Sequence, residues 1–503
     1  MGIEKDVEKN AYDAVEYPSY AFPDTHPDHL AAMALLYGLE PPPVESCRVL
    51  EVGCNEGANL IPMAYAIPGG QFVGFDLASL PISRGQERIQ TLGLKNIRIF
   101  QADLMEVGSD LGEFDYIIAH GLYAWIPEPV RDGLLALCKR HLSPNGVAFI
   151  SYNALPGGYL RMMTRDMMLV RTRGIADPDQ QVKEGVDFIR LLAETRKEGS
   201  LYRGLLEEQL KRLSKNNAHA IYHDDFSGAY RPVYFAQFVD HAKKHGLQYL
   251  TDAELPPPND PCFDANFQNG IKNAVAGDLI AQEQMVDFAR MRMFRETLLC
   301  HAERPLKHSF PAELFRRLLF ASSLVMIPNE AEDAEGVRRY ALGDGSTKLC
   351  CDQPATIAIL DKLIPTWPHA LTFDDIAPAL AENGISDSRG STMLLLQMAV
   401  SKMVELHAWR PALAAAVAEK PRASATSRQE AHLHDRAATL WHFQVQLTDE
   451  TGRYFLQLLD GTRNHDTLLE ALKVKFPAIP VEELQQAMER NLKFIYRAAL
   501  LEA

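Results

Sequence analysis

The residues best suited to chemistry near the N-terminal end of the chain are Glu51-Val52-Gly53-Cys54-Asn55-Glu56-Gly57, Asp76 and Asp103. Val49-Leu50 reads as a strand that ends on an acid and a tight loop, with a helix opening behind it. Gly53 and Gly57, with Asn55 between them, let the backbone bend and approach a ligand, and the helix N-terminus offers free N–H donors. An anionic or amide-like group suits that place. Asp76, with Leu77 after it, closes the run GQFVGFD nineteen residues past Gly57, where a carboxylate would hold the two hydroxyls of a ribose. Ala102-Asp103-Leu104 puts an acid and an apolar wall at the end of IRIF, so an adenine amine could donate to Asp103. Order and spacing agree on a nucleotide-like cofactor. Glu51 two residues before the first glycine, and the lack of a G-x-G-x-x-G loop, argue against a nicotinamide dinucleotide.

An acceptor would arrive beyond the fourth strand, at Ala119-His120-Gly121-Leu122-Tyr123-Ala124-Trp125-Ile126-Pro127. His120 is a candidate to touch cofactor or accept a proton. Tyr123 and Trp125 are candidates to wall a cation with their ring faces, or else to pack over the sheet edge. Tyr12, Tyr17, Pro18, Ser19, Tyr20, Phe22 and His26 form an aromatic segment that reads as a lid or as a fixed strap. Asn153 could touch the acceptor or cap the turn at Pro156-Gly157-Gly158. The methionines at 162, 163, 167 and 168 with the arginines at 161, 165, 171 and 173 read as a core helix with snorkelling arginines. His219 and His223, beside Asp224, have helical spacing but no third ligand group, so no metal is expected.

The elements that must carry these residues alternate strand and helix from Cys47 to Asn153: RVLEVG, FVGFD, IRIF, YIIAH, VAFISY. That alternation predicts an α/β fold with a doubly wound, Rossmann-like sheet. Residues 1–160 are read as the core with its N-terminal segment and 161–245 as a helical insertion; two further strands in 246–305 complete a seven-stranded sheet. Residues 306–409 read as a mainly helical, winged-helix-like module with a hairpin turning at Gly343-Asp344-Gly345. The Ala- and Ser-rich residues 410–435 read as a flexible connection, and 436–503 as a second such module.

The 503 residues include 51 Lys+Arg and 66 Asp+Glu, a formal charge of −15, which disfavours nucleic acid as the main partner. The first 305 residues carry 41 acids against 30 bases, a balance compatible with a cationic substrate and with an ordinary solubilising surface. Seven scattered cysteines without C-x-x-C suit a reducing cytoplasm rather than a disulfide framework or zinc knuckle. No secretion signal, lipid anchor or membrane-spanning run is expected, so the reading is a cytoplasmic protein without membrane insertion. A homo-oligomer is compatible with the sequence.

The strand-end motifs resemble those of the class I S-adenosylmethionine (SAM) methyltransferases, whose first motif is acidic-x-G-x-G-x-G. The resemblance implies that Glu51, Gly53, Asn55 and Gly57 line the methionine end, Asp76 and Leu77 the ribose, and Ala102, Asp103 and Leu104 the adenine, with His120 nearby. Asn55 departs from the pattern by replacing the middle glycine. YDAVEYPSYAFPDTHPDHLAAMALLYGLEP, NLIPMA, HGLYAWIP, ISYNALPGGYLRMMTRDMM and HDDFSGAYRPVYFAQFVDHAKKHGLQYL look like the bacterial methyltransferases that carry a regulatory domain, among them the rickettsial protein lysine methyltransferases. The resemblance implies SAM as cofactor, S-adenosylhomocysteine as product and a protein lysine as favoured acceptor; Tyr17, His120, Tyr123 and Asn153 are the acceptor-side candidates by their positions in the sequence. A small-molecule acceptor and a SAM-binding scaffold with little turnover are the alternatives.

Overall fold

The sheet is built from β1 (Arg48–Val52), β2 (Gln71–Asp76), β3 (Ile97–Gln101), β4 (Phe114–Ala119), β5 (Leu142–Asn153), β6 (Leu247–Asp252) and β7 (Phe294–His301), in the order 3-2-1-4-5-7-6. The first five strands run parallel and β7 lies antiparallel between β5 and β6. All six residues of β4 are buried, as expected of a central parallel strand covered on both faces. The strand order reverses between β1 and β4, so the loops leaving those two strands face each other at the switch point, where α/β folds bind ligands. The computed structural model describes residues 15, 17–226, 230–255, 265–275, 277–307, 312–342 and 348–503. Tyr12, Cys262 and the Gly343-Asp344-Gly345 turn lie outside the described residues.

The helices of this part are α1 (Pro27–Leu36), α2 (Leu60–Ala66), α3 (Ser79–Leu92), α4 (Glu128–His141), α5 (Gly158–Arg171), α6 (Pro178–Glu194), α7 (Leu201–Ser214), α8 (Ala218–Phe226), α9 (Phe235–Lys244), α10 (Ala265–Val275) and α11 (Leu279–Arg290). Helices α5 to α8 share a small core of their own around Met168, Ile189, Leu206 and Leu213. In α9 the buried residues are Phe235, Phe238, Val239 and Ala242, and this single apolar stripe packs on the sheet. The insertion expected over 161–245 therefore ends as a separate unit before α9. Arg161 and Arg165 are buried rather than snorkelling: Arg161 pairs with Asp225 and lies over Trp125 and Tyr230.

Three short strands, Leu319–Ala321, Leu371–Thr372 and Glu405–His407, frame the helices Pro354–Thr366, Phe373–Glu382 and Ser388–Val400. Their apolar side chains join those of α1 and one face of the sheet in a single core. The expected hairpin is present as Arg338–Ala341 paired with Lys348–Cys351. The last part holds helices Ala425–Leu433, Glu450–Leu458, His465–Lys475 and Val481–Arg497 with a hairpin of Arg436–Ala438 and Gln444–Gln446.

Residues 410–435 are not a flexible connection. Ser424 caps the helix Ala425–Leu433, Ala423 bridges to Leu501, and Thr426, Ser427, Glu430 and Ala431 are buried. Small side chains there serve close packing, chiefly against the helix Glu450–Leu458 and the strand Arg436–Ala438 and more lightly against α2, a use that composition alone does not separate from solvation. No helix among the described residues is long and apolar enough to cross a membrane.

Candidate active site

The loop after β1 is shaped by three left-handed residues: Gly53 (φ 75°), Asn55 (φ 49°) and Gly57 (φ 74°). Asparagine tolerates this region better than other side chains, so the departure from the glycine pattern keeps the loop's course. Asn55 N–H donates to Asp76 Oδ2 at 2.9 Å and Ala78 N–H donates to Asp76 Oδ1 at 2.9 Å. The carboxylate thus ties the β1 and β2 loops together. Gly74 leaves room for Cys54, since a Cβ there would lie 2.8 Å from the Cys54 Sγ; the buried thiol is pushed up in pKa by burial, which suits packing rather than nucleophilic chemistry.

Glu51 is buried, and burial, with the charge of Asp76 adding, pushes it up to about 8 against the hydrogen bond from Asn59. Its Oε1 accepts from Asn59 Nδ2 at 2.8 Å, while Glu51 Oε2 and Asn55 Oδ1 are buried with no protein hydrogen-bond partner. Two orphaned acceptors at the mouth of a positive-φ loop fit the ammonium end of an amino-acid-bearing cofactor. Leu77 is exposed beside Asp76, and Asp103 caps a short 3₁₀ turn, Leu104–Glu106, through Met105 N–H. Ala102 N–H donates to Asp76 O. Ala102, Asp103 and Leu104, all half-buried, could form the apolar and acidic sides of an adenine slot.

Asn59 was not singled out from the sequence, yet it is the hub of the site. Its Oδ1 accepts from Phe22 N–H at 2.9 Å and lies 2.8 Å from His442 Nε2, and its Nδ2 also donates to Thr25 Oγ1 at 3.0 Å. His442 comes from the C-terminal module, which no local sequence pattern connects to α2.

His120 lies under the N-terminal segment, stacked on Phe22 at 3.8 Å between centroids and on Phe149 at 6.0 Å. Burial lowers its pKa to about 4, so the imidazole is neutral and a weak base. Its Nε2 is 3.8 Å from Glu296 Oε1. Glu296 on β7, opposite Ser151 of β5, is a second residue that sequence reasoning missed; an acid inside FRETLLCH was the available signal. Burial, then the charges of Asp24, Asp252 and Glu254, push Glu296 up to about 8, with Lys402 opposing. Gly121 N–H donates to Ser151 Oγ at 2.7 Å, fixing the turn that presents His120.

Tyr123 does not face this space. It is 2% exposed, its hydroxyl lies 2.7 Å from His241 Nδ1 of α9, and Arg131 covers its ring at 4.7 Å, so an acceptor-side role is replaced by a packing one. Trp125 packs on Tyr230. Asn153 is buried, pairs with Phe294 and takes Val233 N–H on its backbone carbonyl; α5 has no side-chain cap. Tyr17 donates to Asp224 Oδ1 at 3.3 Å and sits edge-on to His223, while Ala21 N–H donates to Gln444 and Arg436 lies over Tyr20. The aromatic segment is thus a strap pinned to the insertion at one end and the C-terminal module at the other. His223 faces Val15 O rather than a metal set. Among the described residues, the group that brings metal-type donors together is Asp132, His241 and His245.

Family models match three parts of the chain: "Methyltransferase domain" over residues 49–146, "Predicted methyltransferase regulatory domain" over 217–301, and "PKMT, C-terminal winged helix domain" over 419–490. The chain is 28% identical to the uncharacterized protein RP789 of Rickettsia prowazekii over 92% of its own length and 85% of the relative's. It is 31% identical to RP028 of the same organism, over 49% of its own length and 99% of the relative's. In fold it resembles PKMT2 from Rickettsia typhi, solved in complex with AdoHcy, with a TM-score of 0.86 at 22% identity, covering 96% of this chain and 99% of that one.

Proposed function

Because this chain belongs to the bacterial class I methyltransferases that carry a regulatory domain and use SAM, we propose that its acceptor is the side-chain amine of a lysine in a protein. The observation that carries the proposal is Glu296: a half-buried carboxylate pushed up to about 8, beside the Phe22–His120 stack and among the acids Asp24, Asp252 and Glu254. Such a place attracts an ammonium and can take its proton, leaving the neutral amine that attack requires. Similarity to PKMT2 along both chains, winged-helix module included, supports the same reading.

SAM supplies a sulfonium methyl group for in-line displacement. Glu51 Oε2 and Asn55 Oδ1 would accept from its ammonium, Asp76 with Leu77 would hold the ribose, and Ala102, Asp103 and Leu104 the base. Gly53 and Gly57 keep side chains out of that approach. Glu296 takes the lysine proton at a carboxylate oxygen, and Phe22 with His120 walls the apolar side and excludes water. Tyr17 acts at a distance, by anchoring the strap that carries Phe22, and Asn153 by holding β5 against β7.

The test is to incubate the protein with methyl-labelled SAM and a bacterial lysate and to follow the label through protein, nucleic-acid and small-molecule fractions. Base-stable label mapped to lysine by mass spectrometry is expected. Label confined to small molecules or nucleic acid overturns the acceptor, and SAM binding without any transfer favours a scaffold.

A further inference from the structure

Asp132 on α4 faces His241 on α9 and His245 at that helix's C-cap. Nε2 of His241 lies 2.8 Å and Nε2 of His245 3.1 Å from the same oxygen, Asp132 Oδ1. One ligand atom from each residue falls within 4.8 Å of the others. We propose that Asp132, His241 and His245 form a binding site for a divalent transition metal, zinc being the chemically natural occupant, that clasps the methyltransferase core to the regulatory region.

Four features support the assignment. First, histidines four apart on one helix put both imidazoles on one face, and a carboxylate from a second helix completes a three-ligand set with room for water in the fourth position. Second, the donors are nearly in place. Tetrahedral zinc with bonds of about 2.1 Å holds its ligand atoms roughly 3.4 Å apart, so the two hydrogen-bonded contacts need to open by about 0.6 and 0.3 Å, while the separation between the two histidine nitrogens already lies within 4.8 Å.

Third, His241 has an orienting partner behind it. Its Nδ1 lies 2.7 Å from the Tyr123 hydroxyl, and Tyr123 is itself fixed by burial, by Phe238 edge-on to its ring and by Arg131 above it. With an ion bound, both Nε2 atoms would face it and His241 Nδ1–H would donate to the Tyr123 oxygen. Outer-sphere hydrogen bonding of this kind is what metal-binding histidines use. Fourth, the ion would sit at the C-terminal end of α9, where the helix dipole favours a cation.

The site joins α4, inside the residues matched as the methyltransferase domain, to α9, inside those matched as the regulatory domain. Because Tyr123 belongs to the turn that follows β4, an occupied site braces the same loop that presents His120. Metal binding can therefore be read out as stability of the core–regulatory junction, independently of any acceptor.

The experiment titrates the chelator-treated full chain with Co²⁺ and then Zn²⁺, following the cobalt visible spectrum and the melting temperature. One equivalent of Co²⁺ giving an intense tetrahedral band, displaced by Zn²⁺, with a rise in melting temperature, is expected. Asp132→Asn and His245→Gln should each lower the affinity at least about ten-fold while leaving the metal-free melting temperature close to the parent's. Both positions are partly open to solvent, and neither residue touches the cofactor loop. A chain that binds no Co²⁺ at one equivalent, or whose cobalt spectrum survives both substitutions, overturns the proposal.

Discussion

His442 Nε2 donates to Asn59 Oδ1 at 2.8 Å, and the nitrogen of the same amide donates to Glu51 Oε1 at 2.8 Å. A residue near the far end of the chain thereby sets the orientation of the acid that closes β1. Burial holds His442 at a pKa of about 3, so it is a neutral donor throughout the working pH range. The C-terminal module is in this sense part of the proposed cofactor site.

Loss of His442 should be felt as cofactor affinity. His442→Ala is expected to raise the SAM dissociation constant by about ten-fold, the value of roughly one buried hydrogen bond. Asn59→Ala, which also frees Phe22 N–H and Glu51 Oε1, should cost more. Calorimetric titration with SAM measures both, and equal affinities in His442→Ala and parent would disconnect the module from the site.

Glu296 should govern the pH profile of methyl transfer. Its basic form is the one that accepts a proton, so the rate should climb as pH rises through about 8. Glu296→Gln should lower turnover by roughly 10²-fold or more, in the range of a lost general base, flatten that limb and leave SAM binding nearly unchanged. A parent-like profile in the variant would remove Glu296 from the chemistry.

The strap should matter more to turnover than to cofactor affinity. Phe22→Ala removes the ring stacked on His120, and an aromatic pair is worth about 1 kcal/mol, so turnover is expected to fall about five-fold or more. Steady-state kinetics beside a SAM binding isotherm distinguish this from a general loss of fold.

His407 should make stability depend on alkaline pH. Burial alone would lower its pKa, but Asp28 at 2.6 Å, with Glu405 at 3.7 Å, carries it up to about 9. The nearby His26 is held neutral by burial. Because the folded value lies above the ordinary 6.5, this stabilisation is fully present below about pH 6.5 and is lost as pH rises through about 9. The difference in unfolding free energy between the parent and His407→Gln should shrink across that window. Asp28→Ala, which strands the buried imidazolium, should cost roughly 3–5 kcal/mol near neutral pH. A difference that stays constant from pH 6 to 10 would count against a charged pair.

Local pattern made the sheet legible. Apolar runs marked β1 to β7, and Glu51, Asp76 and Asp103 stand at the ends of the strands where spacing put them. Periodicity does not say what a helix packs on, so α9 was assigned to the insertion although its stripe belongs to the sheet. Nor does composition distinguish alanines and serines that pack closely from those that stay solvated, which is why 410–435 read as a linker. Asn59, Glu296 and His442 escaped because their roles arise from contacts between distant segments: residue 59 meets 442, and 296 meets 120. Tyr123 erred in the other direction, since a residue near a functional loop can point away from it.

The sheet order carries a consequence for synthesis. The edge of β5 is closed by β7, and roughly 140 residues separate Asn153 from Phe294. At about 5–20 residues per second a ribosome needs on the order of 7–28 s to make that stretch. During that interval the nascent chain displays an apolar, unpaired strand edge at Ala148-Phe149-Ile150, a template for aggregation. Helices α5 to α8 are complete before β7 exists, so a ribosome-associated chaperone that covers apolar segments should raise the yield of folded protein by protecting this one edge.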